Sequence, residues 1–162
     1  MTDRIVIQVD DDKAQRWFGE LTQRSSDMSG LTADIGELLT ESTQERFTTD
    51  LAPDDTPWKP LADSSGRTPL RKTGTTRDQI APTSGAAFVE IIASAKQARW
   101  HQEGTAPYVI KPKGKALKIP GIGWRKYAKH PGLPARRFIG LSRSDEEGID
   151  RLAAEWLDPP AS

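Results

Sequence analysis

Cysteine is absent from the chain, which removes disulfides, thiolate nucleophiles and Cys-ligated zinc from the possibilities and is compatible with a reducing compartment. Histidine is nearly absent as well, with only His101 and His130 present. His101-Gln102-Glu103 has the His-x-Glu of a zinc deaminase, but the Pro-Cys-x-x-Cys that must follow it cannot occur here. No Gly-x-Ser-x-Gly elbow exists, and a Ser-His-Asp triad built from distant positions is the one arrangement left open. A histidine hydrogen-bonded at a strand or loop junction is the simpler reading of both residues. Gly114-Lys115 is followed by alanine where a nucleotide-binding loop places a hydroxyl. Asp10, Asp11 and Asp12 lack the spacing and closing glutamate of a calcium loop, and helix capping accounts for them. The expectation is a protein that is not an enzyme and has no cofactor and no metal.

Long apolar runs are missing too. Nothing approaches the ~18 residues of a membrane span, and residues 1–12 lack a basic segment followed by an apolar one. These features predict a soluble protein that is not exported. Apolar residues make up 35% of the 162, low for a globular domain, so part of the chain should be extended loop or arm. The length fits one domain spanning 1–162.

Charge balances overall but is segregated. Residues 1–56 hold 5 Lys/Arg against 13 Asp/Glu, residues 57–140 hold 16 against 4, and residues 141–162 hold 2 against 6. Three readings fit: a basic surface for nucleic acid, complementary faces on copies that meet, or acidic helices covering a basic sheet within one subunit.

Periodicity outlines an α+β fold, a small antiparallel β-sheet packed by N-terminal helices and a C-terminal amphipathic helix. Ile5, Val6, Ile7 and Val9 read as a strand. Ala14, Trp17, Phe18 and Leu21 recur at helical steps, ending near Ser25. Leu31, Ile35, Leu38, Leu39, Phe47 and Leu51 share a face of a helix of about five turns, opposite Asp34, Glu37, Glu41 and Glu45. Pro53 should end it and open an extended loop over 53–72. One or two helical turns fit 73–80, a strand fits 86–93 and a short helix 94–102. Residues 108–111 and 116–120 look like paired strands around a Lys113-Gly114-Lys115 tip, inside a basic loop at 111–134 whose later part, 121–134, reads as extended. Ser144 and Glu147 form a capping-box pattern before Ile149, Leu152, Ala153 and Trp156.

Lys111, Lys113, Lys115, Lys118, Arg125, Lys126 and Lys129 cluster with Tyr108, Trp124 and Tyr127, a mixture able to contact phosphates and stack on bases. No nucleic-acid-binding motif accompanies them, and the whole chain is neutral where a dedicated binder is basic.

Four pieces in order resemble the phage virion morphogenesis (Mu-type tail-completion) family and the related head-tail connector proteins. Arg46-Phe47 followed by Pro53-Asp54-Asp55-Thr56-Pro57-Trp58-Lys59-Pro60-Leu61 is similar to the family's Phe and Pro-Asp-Gly-x-Pro-Trp-x-Pro-Leu, with Asp55 where glycine is usual. Leu70-Arg71-Lys72-Thr73-Gly74-Thr75-Thr76-Arg77-Asp78-Gln79-Ile80 resembles Leu-x-x-Thr-Gly-x-Leu-x-x-Ser-Ile, departing at Thr76 and Gln79. Trp100 to Thr105 resembles the Tyr-Ala-x-x-His-Gln-x-Gly element. Pro134-Ala135-Arg136-Arg137-Phe138-Ile139-Gly140-Leu141-Ser142 resembles Pro-Ala-Arg-Pro-Phe-x-Gly-Leu-Ser, with Arg137 for the second proline.

The resemblance implies a structural virion protein that completes the tail and joins it to the head. It implies a ring of copies in the neck, a hexamer to match tail symmetry, between tail terminator or tail tube proteins and head-completion or portal-side connector proteins. Location in the virion tail or neck follows, with assembly in the host cytoplasm, no membrane, and non-specific contact with passing DNA as an option. Candidate interface residues are Trp58, Lys111, Lys113, Lys115, Trp124, Arg125, Arg136, Arg137 and Phe138. Trp58 between prolines reads either as a rigid interface anchor or as a cap on its own core. Arg136 and Arg137 read either as a fork for a partner's carboxylates or as a pin for the final helix.

Overall fold

The computed structural model describes residues 12–61, 68–71, 73–119 and 121–158. The strand expected over 5–9 lies outside them. Two helices open the described chain, α1 (Asp12–Ser26) and α2 (Ser29–Thr49). They are followed by the single turn α3 (Thr75–Asp78), the hairpin β1 (Ile80–Gly85) and β2 (Phe88–Ala93), and α4 (Ala98–Glu103). Four short strands come next, β3 (Tyr108–Ile110), β4 (Leu117–Ile119), β5 (Gly123–Arg125) and β6 (Ala128–His130), before α5 (Arg143–Leu157) closes the fold. The architecture is α+β, with its antiparallel strands in three two-stranded pairs.

α2 is the spine, packing against the β1–β2 hairpin on one side and α5 on another. Its apolar stripe includes the buried Ile35 and Phe47. Gly36 lets the hairpin approach, since a Cβ there would lie 3.0 Å from Pro82 Cβ and 3.3 Å from Val89 Cγ2. Thr32 Oγ1 donates to Gly85 O at 2.6 Å and fixes the hairpin's turn end. Sequence periodicity missed β1 because Pro82 interrupts it. Both strands of a two-stranded pair are edges, where a proline is tolerated.

α2 ends before Pro53, at Asp50, whose left-handed backbone (φ 60°) places its N–H on Arg46 O. Residues 52–56 then form a tight turn closed by the Leu51–Pro57 bridge, so the long loop expected here starts as ordered structure. α5 is capped by Ser142, not Ser144. The Ser142 hydroxyl accepts from Asp145 N and the Asp145 carboxylate accepts from Ser142 N, a reciprocal capping box.

The basic region also differs from expectation. β3 does not pair with β4; it pairs with β6, Tyr108 opposite His130, while β4 pairs with β5, Lys118 opposite Trp124. The Thr105–Leu133 bridge continues the β3–β6 register at the base. The result is a two-stranded arm in which Lys113-Gly114-Lys115 sits in a side bulge, residues 111–116, and not at a hairpin tip. Part of the segment expected as extended loop, 121–134, therefore supplies the arm's returning strands.

Candidate assembly site

The core is a junction of the sequence pieces singled out above. Phe138 is fully buried, 5.2 Å between ring centroids from Phe47, and Phe47 meets Trp58 edge-on at 5.4 Å. Trp58 is 7% exposed and its indole N–H donates to Arg137 O at 2.8 Å. Arg136 returns the connection, its guanidinium donating to Lys59 O at 2.7 Å and Pro60 O at 2.9 Å. Gln102 clamps the same segment: its Oε1 accepts from Phe138 N and Ile139 N at 3.0 and 3.1 Å, and its Nε2 donates to Ile139 O at 2.8 Å. Arg71 donates to the terminal carbonyls of α2, Phe47 O and Thr48 O.

Arg46 completes the junction from α2. It donates to Phe138 O at 2.9 Å and Gly140 O at 2.8 Å and forms a buried ion pair with Asp145. Burial pushes the Asp145 carboxyl up, but hydrogen bonds from Ser42 and Ser142 and the Arg46 charge outweigh it and hold the group below its ordinary value. His101 is pushed below its ordinary value by burial and by the neighbouring Arg136 charge. Its Nδ1 has no hydrogen-bond partner among the described residues, whereas His130 Nδ1 accepts from Gly132 N. Neither imidazole is hydrogen-bonded to a serine hydroxyl or a carboxylate among the described residues, and these hold no cluster of metal-ligating side chains.

The candidate interface residues thus divide into two groups. Trp58, Arg136 and Phe138 are buried inside the subunit, which corrects their assignment to an interface: the tryptophan caps its own core and Arg136 pins the Lys59-Pro60 turn. Arg137 stays exposed beside them. Lys111, Lys113, Lys115, Trp124 and Arg125 are all exposed on the arm. There Trp124 is 64% and Tyr127 55% exposed, and the Lys118 ammonium stands 6.0 Å from the Trp124 ring centre. One face carries a shallow trough of about 530 Å³ with Val109, Pro112 and Tyr127 as apolar lining and Lys111, Lys126 and Lys129 around it. Among the described residues no salt bridge reaches these cations. Among the described residues, no acidic side chain of a helix forms an ion pair with the basic strands.

The phage virion morphogenesis family matches residues 9–158, nearly the whole chain. The chain belongs to this family. Tail completion protein S of Escherichia phage P2 is 29% identical over 136 residues, which cover 79% of this chain and 83% of that protein. No solved structure matches. In this member of the virion morphogenesis family, the sequence pieces that carried the resemblance are the ones that meet around Phe138. Sequence reasoning missed Arg46 and Asp145 as partners. The available signal was an arginine in register with the buried face of α2, eleven positions after Ile35, where an unpaired charge could not be left.

No helix among the described residues is long and apolar enough to cross a membrane.

Proposed function

We propose that the chain is a structural virion protein that completes the phage tail and joins it to the head through protein contacts, without catalysis. Copies form a ring in the neck, a hexamer matching tail symmetry, between tail terminator or tail tube proteins and head-completion or portal-side connector proteins. Assembly takes place in the host cytoplasm. The observation that carries this reading is the family match over residues 9–158, together with the 29% identity to a tail completion protein. The division of labour in the fold supports it: the shared sequence pieces build a rigid core, and the arm is left presenting aromatic and cationic side chains to whatever lies outside.

A second reading rests on the arm alone. Exposed Trp124 and Tyr127 interleaved with lysines that have no carboxylate partner among the described residues also suit non-specific contact with DNA passing through the neck.

Deleting the gene from the phage or prophage that encodes the chain tests the proposal. Lysates should contain filled heads and separate, unfinished tails, and adding purified protein to the tails should restore infectious particles. Normal virions from the deletion strain would remove the proposed role.

A further inference from the structure

We infer that the basic arm of one copy docks on the acidic face of α2 in a second copy of this chain, so that arm and helix are the two halves of the repeating contact. The inference rests on the ring reading above and says which surfaces make it.

From Gly104 to Ser144 the sequence contains no acidic residue and ten Lys/Arg, seven of them on the arm. These seven are exposed and without carboxylate partners among the described residues. A surface of one sign this concentrated repels itself and favours a partner of the opposite sign.

The same subunit carries that opposite surface, also without ion-pair partners among the described residues. Asp34, Glu37, Glu41 and Glu45 are all exposed, and their spacing keeps them within one face of α2 over about 16 Å at ~1.5 Å per residue. The one arginine of α2, Arg46, is buried and engaged with Asp145, so no other cation of this helix interrupts the stripe. At its C-terminal end the stripe runs into a cleft of about 170 Å³ whose polar lining is Ser42, Glu45, Thr49, Asp55, Ser142 and Ser144, with Arg46, Leu51 and Ala52 also on its walls. Arg46 is already paired with Asp145 there, which leaves two carboxylates, four hydroxyl-bearing residues and the negative end of the α2 dipole to receive a lysine or arginine head. Leu141, 54% exposed, adjoins Ser142 and offers the apolar contact that a tyrosine or tryptophan beside that cation needs.

Arm and stripe are different patches, so each copy can give its arm to one neighbour and receive another's. That is a head-to-tail contact, the kind that closes into rings. The arm's trough has an apolar lining ringed by three lysines, which matches an acidic helix face bordered by an exposed leucine.

Two variants test this by sedimentation velocity across a concentration series: the arm reversal Lys126→Glu/Lys129→Glu and the helix reversal Glu41→Lys/Glu45→Lys. All four residues are exposed, and thermal melts identify properly folded protein. Each variant alone should self-associate at least about ten-fold more weakly than wild type, because like charges then face each other. An equimolar mixture should recover wild-type association, since each arm now meets a complementary helix only on the other variant. Wild-type association should also weaken as salt is raised from about 0.05 to about 0.5 M, which tests the contact without any substitution. Self-association that ignores the reversals and salt would overturn the arm contact while leaving the ring reading standing. Impaired variants whose mixture does not recover would overturn it too. So would an arm reversal that abolishes duplex-DNA binding in a gel-shift assay and leaves association intact. A wild-type protein monomeric at every concentration and in assembled tails would overturn both the contact and the ring.

Discussion

Arg46 and Asp145 form a buried ion pair across 99 positions of sequence. Arg46 is 6% and Asp145 2% exposed, and the pair ties the end of α2 to the first turn of α5. Asp145 is also the capping-box residue of that helix, so one carboxylate both starts α5 and fastens it to the spine. Removing either partner strands the other's charge. Arg46→Met and Asp145→Ala should each lower unfolding free energy by about 3–5 kcal/mol, read from urea unfolding at neutral pH. A loss below about 1 kcal/mol in both would contradict the role given to the pair.

The same group sets an acid limit. Because the folded-state pKa of Asp145 lies below its ordinary 3.8, its contribution is complete above about pH 4 and is lost as pH falls through the folded value. The stability gap between wild type and Asp145→Ala should therefore narrow as unfolding is measured progressively below pH 4. A constant gap down to pH 2 would show that ionisation of Asp145 is not involved.

Trp58→Ala should cost about 3–5 kcal/mol, as for other large aromatic deletions from a core. Trp58→Phe keeps most of the packing but leaves Arg137 O without its donor, for a smaller loss of about 1–2 kcal/mol. Thermal or urea melts of the isolated protein decide it. A Trp58→Ala protein as stable as wild type would return this residue to the interface.

Asp55 has a left-handed backbone, φ 60°, at the place where the resembling family pattern has glycine. Aspartate tolerates that region; a β-branched residue does not. Asp55→Gly should leave stability unchanged or raise it by up to ~1 kcal/mol, while Asp55→Val should lower it by about 1–2 kcal/mol. Equal effects of the two substitutions in melts would contradict the turn geometry.

At the base of the arm, Gly132 has φ +88°, and a Cβ there would lie 2.2 Å from Thr105 O. Gly132→Ala should cost more than ~1 kcal/mol and loosen the arm from its root. Amide exchange should then quicken at Thr105 and Leu133, which exchange hydrogen bonds across that root. Unchanged exchange there would show that the base accommodates a side chain.

The long helices were legible because apolar residues along them recur every three or four positions: α1, α2 and α5 lie close to where that repeat puts them, although α1 leaves Trp17 40% exposed. Pairing in the arm was not, since alternation within 116–119 shows that a strand exists but not which strand it meets. Tyr108 opposite His130 is a choice made by register over the whole ribbon. The proline-bracketed Trp58 carries no period at all, so its burial depended on contacts with residues 79 positions away, at Arg137. Ser144 looked like the cap of α5 from spacing alone. Ser142 took that place because Asp145, held by Arg46, reaches back to it. Lys111, Lys113, Lys115, Trp124 and Arg125 were readable as a group because they are close in sequence, and the arm keeps them exposed together.

Cryo-electron microscopy of intact virions, with the protein's presence checked by mass spectrometry, tests the central claim most directly. A ring of copies should stand at the head-proximal end of the tail, with each arm lying on its neighbour's α2. A virion that lacks the chain, or that carries it only at the distal tip of the tail, would contradict it.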